Sequence, residues 1–308
     1  MAQSFDVTFV PALQDTIVNL FAEDPDQIRS TVRVRMITGK TDKWERLGGV
    51  NLEQVTTRHQ ATPHTPFTHS ARLALLSDWA GSEKLDKLDE VKAMVDPKND
   101  YSQGLQRAWR VRMATLITDA LDGTATSVDN QDARTSNTFP ASQVIANGGT
   151  GFTMAKWRQA NRILDNAGVP RGQRTALLSA YAIEDLLADS TVTSKDYADL
   201  AALQNGTIAG ATFMGCRVIV VGDATPDENA TLTGGTPTPQ ILPKTGNIRT
   251  CFIYHREAVG LSIAKELEVD VDRLPEHMNS WQVLVQGSLG AVRILDSGVV
   301  TVDIDESV

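Results

Sequence analysis

Alternating apolar and polar residues near the start of the chain predict a strand that leads into a long projecting loop. The apolar residues of this strand are Val32, Val34 and Met36, and they alternate with Arg33 and Arg35. Such alternation is typical of a half-buried strand. Residues 39–66 are polar, and residues 67–75 then offer a second strand that could return antiparallel to the first. Because isolated two-stranded ribbons are marginal in water, we expect this loop, residues 31–80, to lean on another subunit.

Helical periodicity is strongest between residues 99 and 122. Asn99-Asp100 supplies a start signal, and Asp122-Gly123 supplies a stop. A helix of this length extends about 33 Å and would form a spine. Its apolar stripe consists of Tyr101, Leu105, Trp109, Met113, Leu116 and Ala120.

The rest of the chain mixes short helices and strands, which predicts an α+β fold. The expected helices are 153–167, 180–188 and 194–204, and the expected strands are 175–179, 212–221, 267–272, 281–286, 291–295 and 299–304. Residues rich in Gly, Thr, Ser, Asn or Pro predict loops at 123–151 and 222–247. Residues 1–30 are expected to form an N-terminal arm with one short helix.

The amino-acid composition excludes some classes of function but does not identify one. The 308 residues are 41% hydrophobic, which is ample for packed cores, and 29 basic against 38 acidic residues give a net charge of −9. A chain this acidic is not built mainly to grip phosphate backbones. Cys216 and Cys251 each lie in an apolar run, which argues against a disulfide or zinc site. With no signal peptide and no membrane-spanning apolar run, we expect synthesis in a reducing cytoplasm.

Two motifs suggest chemistry but fail on spacing. Gly39-Lys40-Thr41 resembles the end of a phosphate-binding loop, but Val34 stands where that motif requires glycine. His59, His64 and His69 recur every five residues, a spacing that converges on one ion neither from a strand nor from a helix. We expect exposed loop histidines.

The other candidates also favour plain structural roles. The hydrolase and cofactor candidates are His255, His277, the run Gln286-Gly-Ser-Leu-Gly290, and Gly148, Gly149 and Gly151; none has the required pattern. The acidic row Glu266, Glu268, Asp270 and Asp272 could bind a metal, but it favours a solvated sheet face. The helix arginines Arg107, Arg110 and Arg112 could be ordinary exposed residues or, with equal weight, could contact either nucleic acid or the carboxylates of a neighbouring subunit. The sequence therefore predicts no catalytic, cofactor-binding or metal-binding residue, and no enzyme.

Three segments in collinear order carry a family resemblance. The first is Ser70-Ala-Arg-Leu-Ala-Leu-Leu-Ser-Asp-Trp-Ala80 with residues 85–89 and 95–101 before the long helix. The second is Thr175-Ala-Leu-Leu-Ser-Ala-Tyr-Ala-Ile-Glu-Asp-Leu-Leu-Ala-Asp189 with residues 194–208 and 213–219. The third is Phe252-Ile-Tyr-His-Arg-Glu-Ala-Val-Gly-Leu261 with residues 290–294 and the final valine-rich strand. Together they resemble the major coat proteins of tailed bacteriophages. The resemblance covers about 32–304 and implies the Hong Kong 97-type capsid fold.

The resemblance also implies an organisation and partners. We expect an arm at 1–30, an extended loop at 31–80, a peripheral domain at 81–148 and 266–308 with the spine helix, and an axial domain at 149–265. Copies would assemble as hexamers and pentamers into an icosahedral head in the virion around double-stranded DNA, without sequence-specific binding and without a membrane. Portal, scaffold or decoration proteins would be further partners. Some relatives form a lysine-to-asparagine cross-link, but none is predicted at Lys40 or Lys43.

Two other functions stay open at this stage. One is the shell of a bacterial nanocompartment of the encapsulin type, which shares the fold, and the other is a soluble enzyme whose site is assembled from distant residues. Particle size and contents would separate them. If the loop acts between subunits, deleting residues 41–65 should leave a soluble subunit that forms no closed shell.

Overall fold

The computed structural model describes residues 26–62, 64–86, 98–129, 132–188, 212–222 and 241–307. The helices are α1 (Asp26–Arg29), α2 (Lys98–Asp122), α3 (Met154–Asn166) and α4 (Ala180–Ala188). The strands are β1 (Arg33–Met36), β2 (Thr41–Leu47), β3 (His69–Leu75), β4 (Ser77–Leu85), β5 (Ala125–Val128), β6 (Arg134–Asn137), β7 (Val144–Ile145), β8 (Arg174–Ser179), β9 (Thr212–Phe213), β10 (Cys216–Val221), β11 (Lys244–Thr245), β12 (Ile248–His255), β13 (Val259–Leu274), β14 (Ser280–Arg293) and β15 (Val299–Asp305). The predicted α+β class is confirmed.

The long helix α2 has the predicted position. It ends where Gly123 N–H donates to Asp119 O at 3.0 Å, and a Cβ at Gly123 would stand 2.3 Å from that carbonyl oxygen. Trp109 and Met113 of the predicted stripe are buried, and so are Val111, Ala114, Ile117 and Leu121. The helix is therefore covered on more than one face.

The first sheet has the order β1-β13-β14-β4, and α2 packs across β14. The helix residues Trp109, Met113 and Ile117 share a core with Val285 and Leu289 of β14. Two predicted strands, 281–286 and 291–295, are one continuous strand, β14. Because β13 and β14 are long and antiparallel, they extend well beyond the helix as a hairpin.

The second sheet has seven strands, with β7-β15-β12-β8-β10-β9 in order and β11 beside β12. Its central strands are buried on both faces because alternate side chains point to opposite sides. Leu177 and Phe252 face the core shared with α2, whereas Leu178 and Ile253 face a second core that also holds Trp157 of α3. This sheet therefore joins the two cores.

The prediction that residues 67–75 pair with the strand at residues 32–36 was wrong. Strand β3 pairs antiparallel with β2, while β1 lies parallel to β13 in another sheet. Val34 and Met36 are 39% and 64% exposed, whereas Trp44 of β2 is only 2% exposed. Burial of Trp44 therefore selects β2 as the partner of β3, at the edge of the sheet β2-β3-β5-β6, although the sequence of β2 is mostly polar.

The prediction that the last strands return together to the long helix was also wrong in part. Strand β14 lies beside α2, but β15 pairs with β12 and β7 in the seven-stranded sheet. Because Val300, Val302 and Ile304 are buried in the core beneath α3, the last strand belongs with residues 149–188. The predicted strand 212–221 is interrupted by a turn at Met214 and Gly215, where φ is positive. The predicted helix 194–204 and most of the predicted arm lie outside the described residues.

Candidate assembly surfaces

Residues 48–68, called the projecting loop, contain no helix or strand in their described part. Leu52, Val55 and Phe67 are 94%, 63% and 55% exposed. Gly48 N–H still donates to Thr68 O at 2.8 Å, so the strand pair below the loop extends to this point. Several exposed large apolar side chains on one segment mark an interaction surface.

The loop stands on a base that is fixed to the rest of the subunit. Trp44 Nε1 donates to Ser262 Oγ at 2.9 Å, and that hydroxyl donates to Asp42 Oδ2 at 2.6 Å. Arg35 forms an ion pair with Asp42 at 3.1 Å and stacks 4.2 Å above the Trp44 ring. A Cβ at Gly260 would stand 2.6 Å from that ring, so glycine is needed there. These contacts tie β2 to β13.

A carboxylate fixes β3 to the end of α2. Asp296 accepts from Arg72 Nη2 at 2.5 Å and from Arg293 Nε at 2.7 Å, and we call this group the Asp296 clamp. Arg293 Nη1 also donates to the carbonyls of Leu121 and Gly123 at the helix C-terminus, at 2.9 and 2.7 Å. A guanidinium at this end of a helix satisfies carbonyls and complements the dipole.

The clamp is buried and unbalanced in charge. The side chains of Arg72 and Arg293 are 2% and 0% exposed, and Asp296 is 28% exposed. Burial lowers the pKa of Arg72; the positive charges of Arg46 and Arg293 lower it too, and Asp296 opposes the shift. A single carboxylate thus holds two buried guanidinium groups. Sequence reasoning missed this clamp because Arg72 is 224 positions from Asp296 along the chain.

Close packing also fixes where the loop leaves the sheet. A Cβ at Gly290 of β14 would stand 2.1 Å from the carbonyl oxygen of Leu75. The backbone between β3 and β4 therefore lies against β14 so closely that position 290 must be glycine.

The free end of the β13–β14 hairpin is a second exposed surface. Val271 and Met278 are 42% and 73% exposed, and Met278 and Asn279 turn the chain with φ of 53° and 58°. The pairing of the two strands shifts register near Ile263 and Lys265. The hairpin therefore bends as it leaves the core and presents its tip to solvent.

The acidic row on β13 behaves as a solvated face. Glu266 pairs with Arg29 at 2.5 Å, and Glu268 pairs with Lys265. The hydrogen bond and charge of Lys265 hold the pKa of Glu268 below its ordinary value. Asp270 and Asp272 are at least partly exposed. The row therefore lies at the surface with solvated and paired carboxylates.

The sequence motifs that suggested chemistry lie apart from one another. Lys40 O accepts from Leu76 N–H at 3.0 Å, and Thr41 begins β2, so no helix follows Gly39. The predicted exposure of His59, His64 and His69 is confirmed. The remaining candidates occupy strands and turns: His255 Nδ1 accepts from Glu257 N–H, Lys84 contacts His277, residues 286–290 lie within β14, and Gly148 and Gly149 form a turn with positive φ.

The three helix arginines differ. The Arg112 guanidinium lies 3.7 Å above the Trp79 ring, which assigns it an intramolecular cation–π contact. Arg107 and Arg110 are partly buried and also have contacts.

Cys216 and Cys251 are buried, and burial raises the pKa of their thiols to about 11 and about 12. Those thiols are thus poor nucleophiles.

Among the described residues, no group of three or more His, Cys, Asp or Glu side chains is placed to hold a metal ion. In the same part of the chain, no helix combines the length and apolar character needed to cross a membrane.

Comparison with known families gives a match along nearly the whole chain. The family described as "Phage capsid protein" matches residues 6–306. No curated protein sequence matches the chain.

Solved structures of phage heads share the architecture. The capsid of cyanophage P-SCSP1u aligns with a TM-score of 0.66 at 16% identity, covering 98% of this chain and 94% of that one. The head of Helicobacter pylori bacteriophage KHP40 aligns with a TM-score of 0.69 at 13% identity, over 96% and 95% of the two chains. For Mycobacterium phage Che8 the TM-score is 0.63 at 16% identity, over 97% and 98%.

Proposed function

Because the chain belongs to the phage capsid protein family, we propose that its copies form hexamers and pentamers of an icosahedral head around double-stranded DNA. The chain is a structural major capsid protein of the virion, and it assembles with copies of itself. The family match over residues 6–306 carries this conclusion. The nanocompartment alternative is not favoured, since the matched family is one of phage capsids.

The projecting loop supports self-assembly as the mechanism. Its exposed apolar side chains have no core within their own subunit, and the base beneath them is fixed by Trp44 and the Asp296 clamp. A loop that exposes apolar side chains and is fixed at its base presents those side chains to a neighbour from a defined position on the subunit, where their burial favours association. Many such weak, repeated contacts add up to a closed shell.

The division into domains is also a proposal, and the sheets suggest how to revise it. The arm is residues 1–30, and the extended loop reduces to 41–75, since β1 lies elsewhere. The peripheral domain contains α2, β4, β13 and β14, which pack on one another. The axial domain contains α3, α4 and the seven-stranded sheet, including β15.

Partners beyond the chain itself follow from the same role. We expect a portal, and a scaffold or decoration protein. The net charge of −9 suits a wall that encloses DNA without sequence-specific binding. The buried, high-pKa cysteines and the dispersed histidines are consistent with a protein that has no catalytic site.

A loop replacement tests the proposal. The predicted deletion of residues 41–65 would also remove Trp44, which is 2% exposed, and would unfold the base. A sharper variant replaces residues 49–67 with Asn-Gly, because Gly48 and Thr68 are still paired and this dipeptide closes a two-residue hairpin.

Electron microscopy should show closed shells for the wild type and none for the loop replacement, while circular dichroism shows that both are folded. The matched variant Leu52→Ser/Val55→Ser keeps the loop length and should form shells poorly, because only the apolar tip is lost. Normal shells from the loop replacement would exclude the loop as an assembly element.

A further inference from the structure

An arginine-lined cleft lies beside α3, away from the projecting loop and the β13–β14 hairpin. Its volume is about 380 Å³, and Arg158, Arg162 and Arg171 line it together with Asn161, Asn166, Asp165 and Met214. In a chain whose net charge is −9, three guanidinium groups around one cleft form a local excess of positive charge. Arginine is the side chain best suited to bind tetrahedral or planar oxyanions.

The carboxylate in the cleft is already neutralised. Asp165 accepts from Arg171 Nη2 at 2.8 Å and from Arg174 Nη2 at 2.7 Å. Arg174 is buried and donates further to Asn161 Oδ1 at 3.1 Å and to Pro170 O at 3.0 Å. The single negative charge of Asp165 is therefore already shared by two guanidinium groups, and none of it is left to balance Arg158 and Arg162.

Arg158 and Arg162 supply the uncompensated charge. They stand one turn apart on α3, so they face the same side of the helix. Both are exposed, and neither forms an ion pair with a described residue. Like charges at this spacing repel each other, and an anion bound between them would relieve that repulsion.

We propose that this cleft is a binding site for a phosphate dianion, supplied either as free phosphate or as a terminal phosphomonoester of a nucleotide or DNA end. Two unpaired guanidinium groups match the charge of a phosphate dianion. A single carboxylate from a neighbouring subunit would neutralise only one of the two guanidinium groups, so it matches the charge of the cleft less well than a phosphate dianion does. The Asn161 and Asn166 side chains add neutral polar groups to the same cleft.

Titration calorimetry of the full chain at low salt tests the site, with inorganic phosphate as the first probe. The wild type should bind one phosphate, and Arg158→Gln/Arg162→Gln should weaken binding by about tenfold or more, since each lost contact involves a charge. Arg158→Lys/Arg162→Lys keeps the charge but loses the paired N–H groups, and should give an intermediate affinity. Arg134→Gln/Arg217→Gln removes two exposed arginines elsewhere, and should bind like the wild type.

Oligonucleotides separate the sources of phosphate. A short strand with a 5′-phosphate should bind more tightly than the same strand without it, and only this difference should vanish in the glutamine variant. Equal binding of both strands would overturn the proposal in favour of a phosphodiester backbone. Equal phosphate affinity in the two glutamine double variants would overturn it in favour of non-specific charge. Melting curves show that each variant is folded.

Discussion

Replacing Asp296 with Asn tests the carboxylate that holds the loop base to the spine helix. The substitution keeps the shape of the side chain but removes its charge. The amide can accept from one arginine only, and its NH2 group then faces the other guanidinium. Arg72 and Arg293, whose side chains are 2% and 0% exposed, would lose their shared counter-charge.

The magnitude follows from burial. Removing one partner of a fully buried ion pair costs about 3–5 kcal/mol, because the remaining charge stays buried. Asp296 is 28% exposed, so solvent screens part of its interaction. We therefore expect a loss of about 3 kcal/mol in the free energy of unfolding. For a chain of 308 residues that corresponds to a fall of about 5 °C in Tm.

Urea and thermal unfolding of the unassembled subunit measure this loss, because assembly would raise the apparent stability. The matched control is Asp132→Asn, which removes an equal charge from the exposed Lys43–Asp132 pair, with side chains 54% and 78% exposed. Asp132 has a φ of 59°, which Asn adopts readily, so no measurable change is expected. Adding Arg72→Met to Asp296→Asn should recover part of the loss. If Asp296→Asn and Asp132→Asn unfold alike, the clamp contributes no stability and the reasoning is refuted.

Three further substitutions probe other contacts. Gly287→Ala should cost about 1–3 kcal/mol, because its Cβ would stand 2.3 Å from the Trp109 ring, whereas Gly104→Ala, with no atom within 4 Å, should add about 0.5–1 kcal/mol; thermal shifts of the same sign would contradict this. Trp44→Phe loses the donor to Ser262 and should cost about 1–2 kcal/mol in urea unfolding, while an unchanged midpoint would dismiss that bond. Burial raises the pKa of Glu306, but hydrogen bonds and charge from Arg249 and Lys244 outweigh it and hold that pKa below 4.5. Glu306→Gln should thus be less stable at neutral pH, and the difference should shrink as the pH falls below 4.5 through the lower folded pKa; a constant difference down to ~pH 2 would exclude this account.

Local signals predicted the helices well. Thr153 is the N-cap of α3, with its side chain accepting from Lys156 N–H at 3.4 Å, and the helix ends beside Gly168 as its sequence indicates. The ends of α2 and α4 were likewise predicted, because capping and periodicity depend on residues within a few positions of each other.

The partner of each strand could not be predicted in the same way. Asp42 is buried because Ser262 and Arg35 satisfy it, so the inner face of β2 depends on residues far along the chain. Met36 is apolar yet 64% exposed in the single subunit, so its alternation with arginines gave the wrong pairing. The last strand was misplaced for a similar reason: its valines suit either sheet, and only pairing with β12 decides between them.

Residues at the assembly base carry the least local signal. Gly290 must be glycine because the carbonyl of Leu75 passes 2.1 Å from where a Cβ would be. Asp296 stands in a short turn and looks like an ordinary surface acid until β3 and the end of α2 are placed beside it. Motif spacing is a local property of the sequence, whereas these contacts form only between segments that the fold brings together.

The Asp296 clamp also has a mechanical consequence. A neighbour that pulls on the projecting loop loads β3, and the ion pair with Arg72 passes that load to Asp296. Arg293 carries it on to the last carbonyls of the spine helix, which runs through the core of the subunit. Part of the tension between neighbouring subunits thereby reaches a 25-residue helix, in parallel with the pairing of β3 to β2 and β5.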